Sequence, residues 1–150
     1  MKENPALYPT SENPSLSLNE VVKAEAIRLF LATRDMPFEV TSPGRKLTLE
    51  ETINNARVKK RGSCSSKHYL LGQDYQKLSI PVAFITCPFL WQDLKVDYPD
   101  QVRKLAEKMP IQYHLALGII TNNQLAIIDA TWDLPLKKAG FLINEVITTG

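Results

Sequence analysis

Apolar residues recur in this chain at two spacings, and the change from one to the other divides it. Val22, Ala26, Leu29 and Phe30, with Ile27 and Leu31 beside them, repeat at the interval of a helix face. Ser17 and Glu20 just ahead have the form of a capping box, so a first helix is predicted over about 19–34. Pro37 to Val40 reads as a short strand and Ser42-Pro43-Gly44 as a turn. Thr48 and Glu51 repeat the capping pattern ahead of Ile53 and Val58, which predicts a second helix over about 49–59. The cations Lys59-Lys60-Arg61 suit its C-terminal end, and Gly62 breaks the chain. Ser63 is placed to cap a third helix that begins at Cys64 and shows Tyr69, Leu70, Leu71, Tyr75 and Leu78 on its apolar side.

Beyond the third helix the pattern shortens. Ile80 to Cys87 is β-rich, with Pro81 arguing against a central position in a sheet. Trp91 to Tyr98 reads as loop. Pro99 suits the first turn of a helix carrying Val102, Leu105, Ala106 and Met109, which Pro110 stops. Tyr113 to Ile120 and Gln124 to Ala130 are apolar, β-branched runs around Thr121-Asn122-Asn123, a hairpin signal because Asn tolerates positive φ. Phe141 to Ile147 is one more candidate strand. Helices first and strands after predict an α+β fold, with N-terminal helices packed on an antiparallel sheet. Residues 1–16, with Pro5, Pro9 and Pro14, read as an extended arm, and 17–150 as one domain.

Composition changes this picture little. Of 150 residues, 44% are hydrophobic and 23% charged, and the net charge is +2. No basic face calls for a nucleic-acid partner. Neither a signal-peptide pattern nor an apolar run long enough to span a bilayer is apparent, so no membrane association and a cytoplasmic location are expected. Two cysteines do not make a disulfide framework.

Cys64 is where the pattern suggests chemistry. A thiol is a nucleophile as thiolate, and a helix N-terminus, nearby cations and a histidine partner each favour that form. Cys64 opens a predicted helix just after Lys59-Lys60-Arg61, where helix N–H groups can also meet an oxyanion. Pairing about the 122–123 turn sets 114 level with 131 and 116 with 129. His114 and Asp129 then share one end and one side of the hairpin. A carboxylate there can take one imidazole nitrogen and leave the other for the thiol.

The run Arg61-Gly62-Ser63-Cys64-Ser65-Ser66-Lys67-His68-Tyr69-Leu70-Leu71 resembles the nucleophile helix of the transglutaminase-like superfamily. Leu78-Ser79-Ile80-Pro81-Val82 resembles the Gly-Ile-Pro entry to the next strand, and Tyr113-His114-Leu115-Ala116-Leu117 the histidine strand. Ile128-Asp129-Ala130-Thr131-Trp132-Asp133 resembles the closing Asp-Pro-Thr-Trp-Asp motif. The resemblance covers about residues 55–135 and rests on the order of the motifs. It implies a papain/transglutaminase-like core, with Cys64 as nucleophile, His114 as general base and acid, and Asp129 as orienting carboxylate. Ala130 stands where proline is usual, Ser79 where glycine is, and Ala116 where an aromatic is; these departures bear on substrate class.

Ser63 and Trp132 are candidate substrate-binding residues, and Trp91 is a candidate groove residue. The implied reaction is thiol-dependent acyl transfer or amide hydrolysis on a peptide, protein or small amide, with no cofactor. Two alternatives stand beside it: a catalytically inactive binding or scaffold module, and an arylamine N-acetyltransferase-like acyltransferase, for which the chain is short. Taken singly, Cys64 reads as a small buried hydrophobe, His114 as a satisfied strand histidine and Asp129 as a loop cap. A zinc site from Cys64, His68, Cys87 and His114 lacks close ligand pairs, so no metal is expected. Cys87, before Pro88 in an apolar run, reads as inert core.

Overall fold

Two helix starts show how local chemistry sets the frame. Thr48 Oγ1 accepts from the Glu51 N–H (3.1 Å) while Glu51 Oε2 accepts from the Thr48 N–H (2.9 Å), the reciprocal box predicted. It starts α2, Leu49–Lys59. Ser63 caps α3, Cys64–Lys77, as expected. The computed structural model describes residues 19–40, 46–121 and 124–145. The arm at 1–16, Ser17 and the 42–44 turn lie outside them. The first helix, α1, is Glu20–Arg34, and its cap is Asn19, whose side chain accepts from the Val22 N–H at 2.8 Å.

The three helices lead into a three-stranded antiparallel sheet in the order β1-β2-β3, formed by β1 Val82–Phe89, β2 Gln112–Thr121 and β3 Gln124–Ile128. The fold is therefore α+β. Val82 pairs with Ile119 and Phe89 with Gln112, so Pro88 sits on an edge strand, where its missing N–H costs no central ladder bond. Between β1 and β2 lie a 3₁₀ turn at Trp91–Asp93 and α4, Asp100–Ala106. Pro99 occupies the position just before that helix, which stops short of Met109.

Three expectations need correction. Pro37–Val40 is not a strand but makes a single parallel bridge, Phe38 with Gly62. Residues 141–145 form no strand: Phe141 packs on Trp132 (centroids 4.6 Å) and Leu142 is exposed, so the run is an irregular tail. Residues 146–147 lie outside the described set. A short helix not foreseen, α5 Leu134–Lys138, follows Asp133, whose Oδ1 accepts from the Leu136 N–H.

The core lies where α1 and α3 meet β2. Ala26 and Phe30 of α1, Leu71 and Tyr75 of α3, and Ile80, Leu117 and Ala130 form one buried cluster. Gly72 lets the sheet approach α3 closely: a Cβ there would stand 2.9 Å from the Phe84 ring. A second cluster of Met36, Ile53, Ala56 and Leu70 joins α2 to α3. Helix α3 is thus packed by α1, α2 and the sheet. Among the described residues no helix is long and apolar enough to cross a membrane.

Candidate active site

The hairpin adopts the expected register. Leu117 pairs with Ile128 and Thr121 with Gln124, which brings Ala116 level with Asp129 just past the strand end. His114 Nε2 and Asp129 Oδ2 meet at 2.8 Å. The sequence therefore brings together the histidine and the carboxylate it pointed to. With Nε2 donating to Asp129, Nδ1 is left for the thiol.

Cys64 is the first residue of α3 and is half-buried. Burial by itself pushes its thiol up, but hydrogen bonding with His114, the Leu115 backbone and Ser65 outweighs that and holds it below the ordinary value. His114 is pushed up to about 10, first by its hydrogen bond with Asp129 and then by the one with Cys64, against burial. Asp129 is held down to about 2: burial raises it, but the His114 hydrogen bond and charge, with Thr131, prevail. The three shifts agree in sign with a thiolate–imidazolium–carboxylate arrangement.

The thiol opens on a cleft of about 340 Å³ lined by Ser63, Cys64, Ser65, His114, Thr131 and Trp132, with Phe38, Phe89, Trp91 and Tyr113 among the further lining residues. Both substrate-binding candidates, Ser63 and Trp132, border it. Trp132 lies nearly parallel to the His114 ring (13°, centroids 6.5 Å) and contacts Phe38 at 4.8 Å and Trp91 at 6.2 Å. Among the described residues, no acidic or basic one other than His114 lines it. Gly62 lets the chain pass close to the first turn of α3, since a Cβ there would stand 2.3 Å from Ser66 Oγ.

Three residues whose part in the site the sequence did not disclose bond to its backbone groups. His68, fully buried one turn after Cys64, has Nδ1 at 2.8 Å from the Cys64 carbonyl, and its Nε2 accepts from the Ala130 N–H at 2.8 Å. Burial drives it down to about 4, against the attraction of Asp129. Lys67, also fully buried, donates to the carbonyls of Arg34, Met36 and Thr131 at 2.9, 2.8 and 2.7 Å. Asn144 accepts from the Asp129 N–H through its side chain and from Arg34 through its carbonyl. Helical spacing from Cys64 marks His68 as a neighbour; nothing local marks the tail residue.

Cys87 is not core: it is exposed on β1, paired across the sheet with His114. An edge strand with one face open leaves it there. Among the described residues no group of three or more His, Cys, Asp or Glu is arranged to hold a metal ion. No family model matches this chain, and no curated protein or solved structure does either.

Proposed function

We propose that the protein carries out thiol-dependent acyl transfer or amide hydrolysis in the manner of a transglutaminase-like or papain-like core. The observation that carries this reading is the 2.8 Å His114–Asp129 bond in the cleft that also holds the Cys64 thiol, at a helix N-terminus. The Cys64 thiolate adds to a substrate carbonyl carbon, and the N–H groups at the start of α3, which have no helical acceptor, face the developing oxyanion. Imidazolium at His114 protonates the leaving amine as the C–N bond breaks, leaving a thioester. Water or an amine then attacks, giving its proton to His114, and the thiolate departs. Asp129 keeps Nε2 protonated and Nδ1 directed at the sulfur. The uncharged aromatic cleft favours peptide, protein or small-amide acyl groups without charge beside the carbonyl.

The test is the rate of alkylation by iodoacetamide against pH in a Cys87→Ser background, which the exposed second thiol makes necessary. The Cys64 rate is expected to stay high below neutrality, unlike that of a free thiol with a pKa of about 8.5. His114→Ala is expected to move the profile upward. A profile like that of a free thiol, unchanged by His114→Ala, overturns the reading and leaves a binding or scaffold domain.

A further inference from the structure

Asp129 stands in a stretch with no regular structure of its own, between the end of β3 at Ile128 and the start of α5 at Leu134. Ala130 and Thr131 are nonetheless fully buried. A single turn of α3 holds them. His68 accepts the Ala130 N–H at Nε2, and Lys67 donates to the Thr131 carbonyl. The Thr131 N–H in turn donates to Asp129 Oδ1 at 2.9 Å, leaving Oδ2 for His114.

We infer that Lys67 and His68 are positioning residues for the triad, so that the helix presenting the nucleophile also sets the orientation of the carboxylate two steps away. The inference rests on the acyl-transfer reading. The residue types fit the task. His68 accepts at Nε2 and lies 2.8 Å from a carbonyl at Nδ1. One tautomer of neutral imidazole does both, and imidazolium cannot accept at all. Its Nε2 also lies 3.6 Å from Asp129 Oδ1, so a charged ring would draw the carboxylate away from His114. Lys67 has three N–H donors for three carbonyls from three segments: the end of α1, the Met36 turn and the Asp129 stretch. The charged groups facing it are Asp133, Asp129 and Asp35, with Arg34 opposing.

The probe is acylation of Cys64 by p-nitrophenyl acetate in the Cys87→Ser background, with folding followed by circular dichroism. His68→Gln keeps an acceptor for the Ala130 N–H; His68→Asn is too short to reach it. Acylation is expected to fall about 10²-fold in His68→Asn and Lys67→Met, the cost of misplacing a catalytic group by about 1 Å, with His68→Gln recovering most of the loss. The alkylation profile of Cys64 should shift upward in the same two variants. Folded His68→Asn and Lys67→Met proteins with wild-type acylation and an unshifted profile overturn the inference. A second measurement needs no variant: the ¹⁵N shifts of His68 in the intact protein should show a neutral ring with its proton on Nδ1 between about pH 5 and 8. An Nε2–H tautomer or a charged ring overturns the inference even if the variants fail to fold. Free-thiol behaviour of wild-type Cys64 would sink the catalytic reading alone, since the His68 ring state is read independently.

Discussion

Ser79 has φ of 60°, in the left-handed region where a Cβ crowds the backbone. The resemblance noted in the sequence has glycine at this point, and the backbone now supplies the reason: the chain turns out of α3 through a conformation that glycine adopts without strain. Ser79→Gly is expected to stabilise the protein by about 1 kcal/mol, read as a shift in denaturant midpoint without a change in slope. The residue is exposed, so no lost packing offsets the gain. At the same scale the neighbourhood of Cys64, His114 and Asp129 was legible and its supports were not. Each taken singly looks ordinary; the helix start at Cys64 and the hairpin register that joins His114 to Asp129 are what single them out. Lys67 and His68 beside the thiol read as polar flank and spare ligand, because their partners are backbone groups far along the chain. Asn144 has no local signal at all; it acts on Asp129 through a tail that only tertiary packing places.

At the scale of elements, capping chemistry was the most reliable guide. Thr48 and Glu51 form both bonds of their box, whereas Ser63 Oγ stands 3.5 Å from the Ser66 N–H, a long bond. Thr48→Ala is therefore expected to cost about 1 kcal/mol, and Ser63→Ala less, in thermal or denaturant unfolding. An equal cost for both would show that the Ser63 bond is as strong as the Thr48 one. The hairpin register was legible because a slip by one residue would turn every side chain to the other face. The elements that escaped were short or lacked contrast. Helix α5 is five residues with a proline in its first turn. The run at 141–145 opens with three apolar residues like a strand yet has no partner ladder among the described residues, and Phe141 packs on Trp132 instead.

For the molecule as a whole, His68, Asp129 and His114 contribute to the pH response in separate windows. His68 is folded at about 4, below its ordinary value near 6.5, so the unfolded chain binds more protons there. Stability should therefore fall as pH drops from about 6.5 to 4. Asp129 is folded at about 2, and its stabilising share is lost only as pH falls further, towards that value. His114 has the opposite sign: raised to about 10, it stabilises fully below about 6.5 and progressively less as pH rises through 10. Melting temperature against pH should show the first decline in wild type and a flatter curve between pH 4 and 6.5 in His68→Gln. An identical decline in that variant would assign the acid sensitivity elsewhere.

The buried ammonium of Lys67 also bears on the fate of a covalent intermediate. A thioester on Cys64 would have a primary amine one helical turn away, and sulfur-to-nitrogen migration to such a neighbour ends in an inert amide. Here burial lowers the amine to about 8, but three carbonyls accept its three hydrogens, an arrangement that suits the ammonium form, which has no lone pair to offer. In the proposed reaction, that hydrogen bonding withdraws the lysine nearest Cys64 in sequence from self-modification.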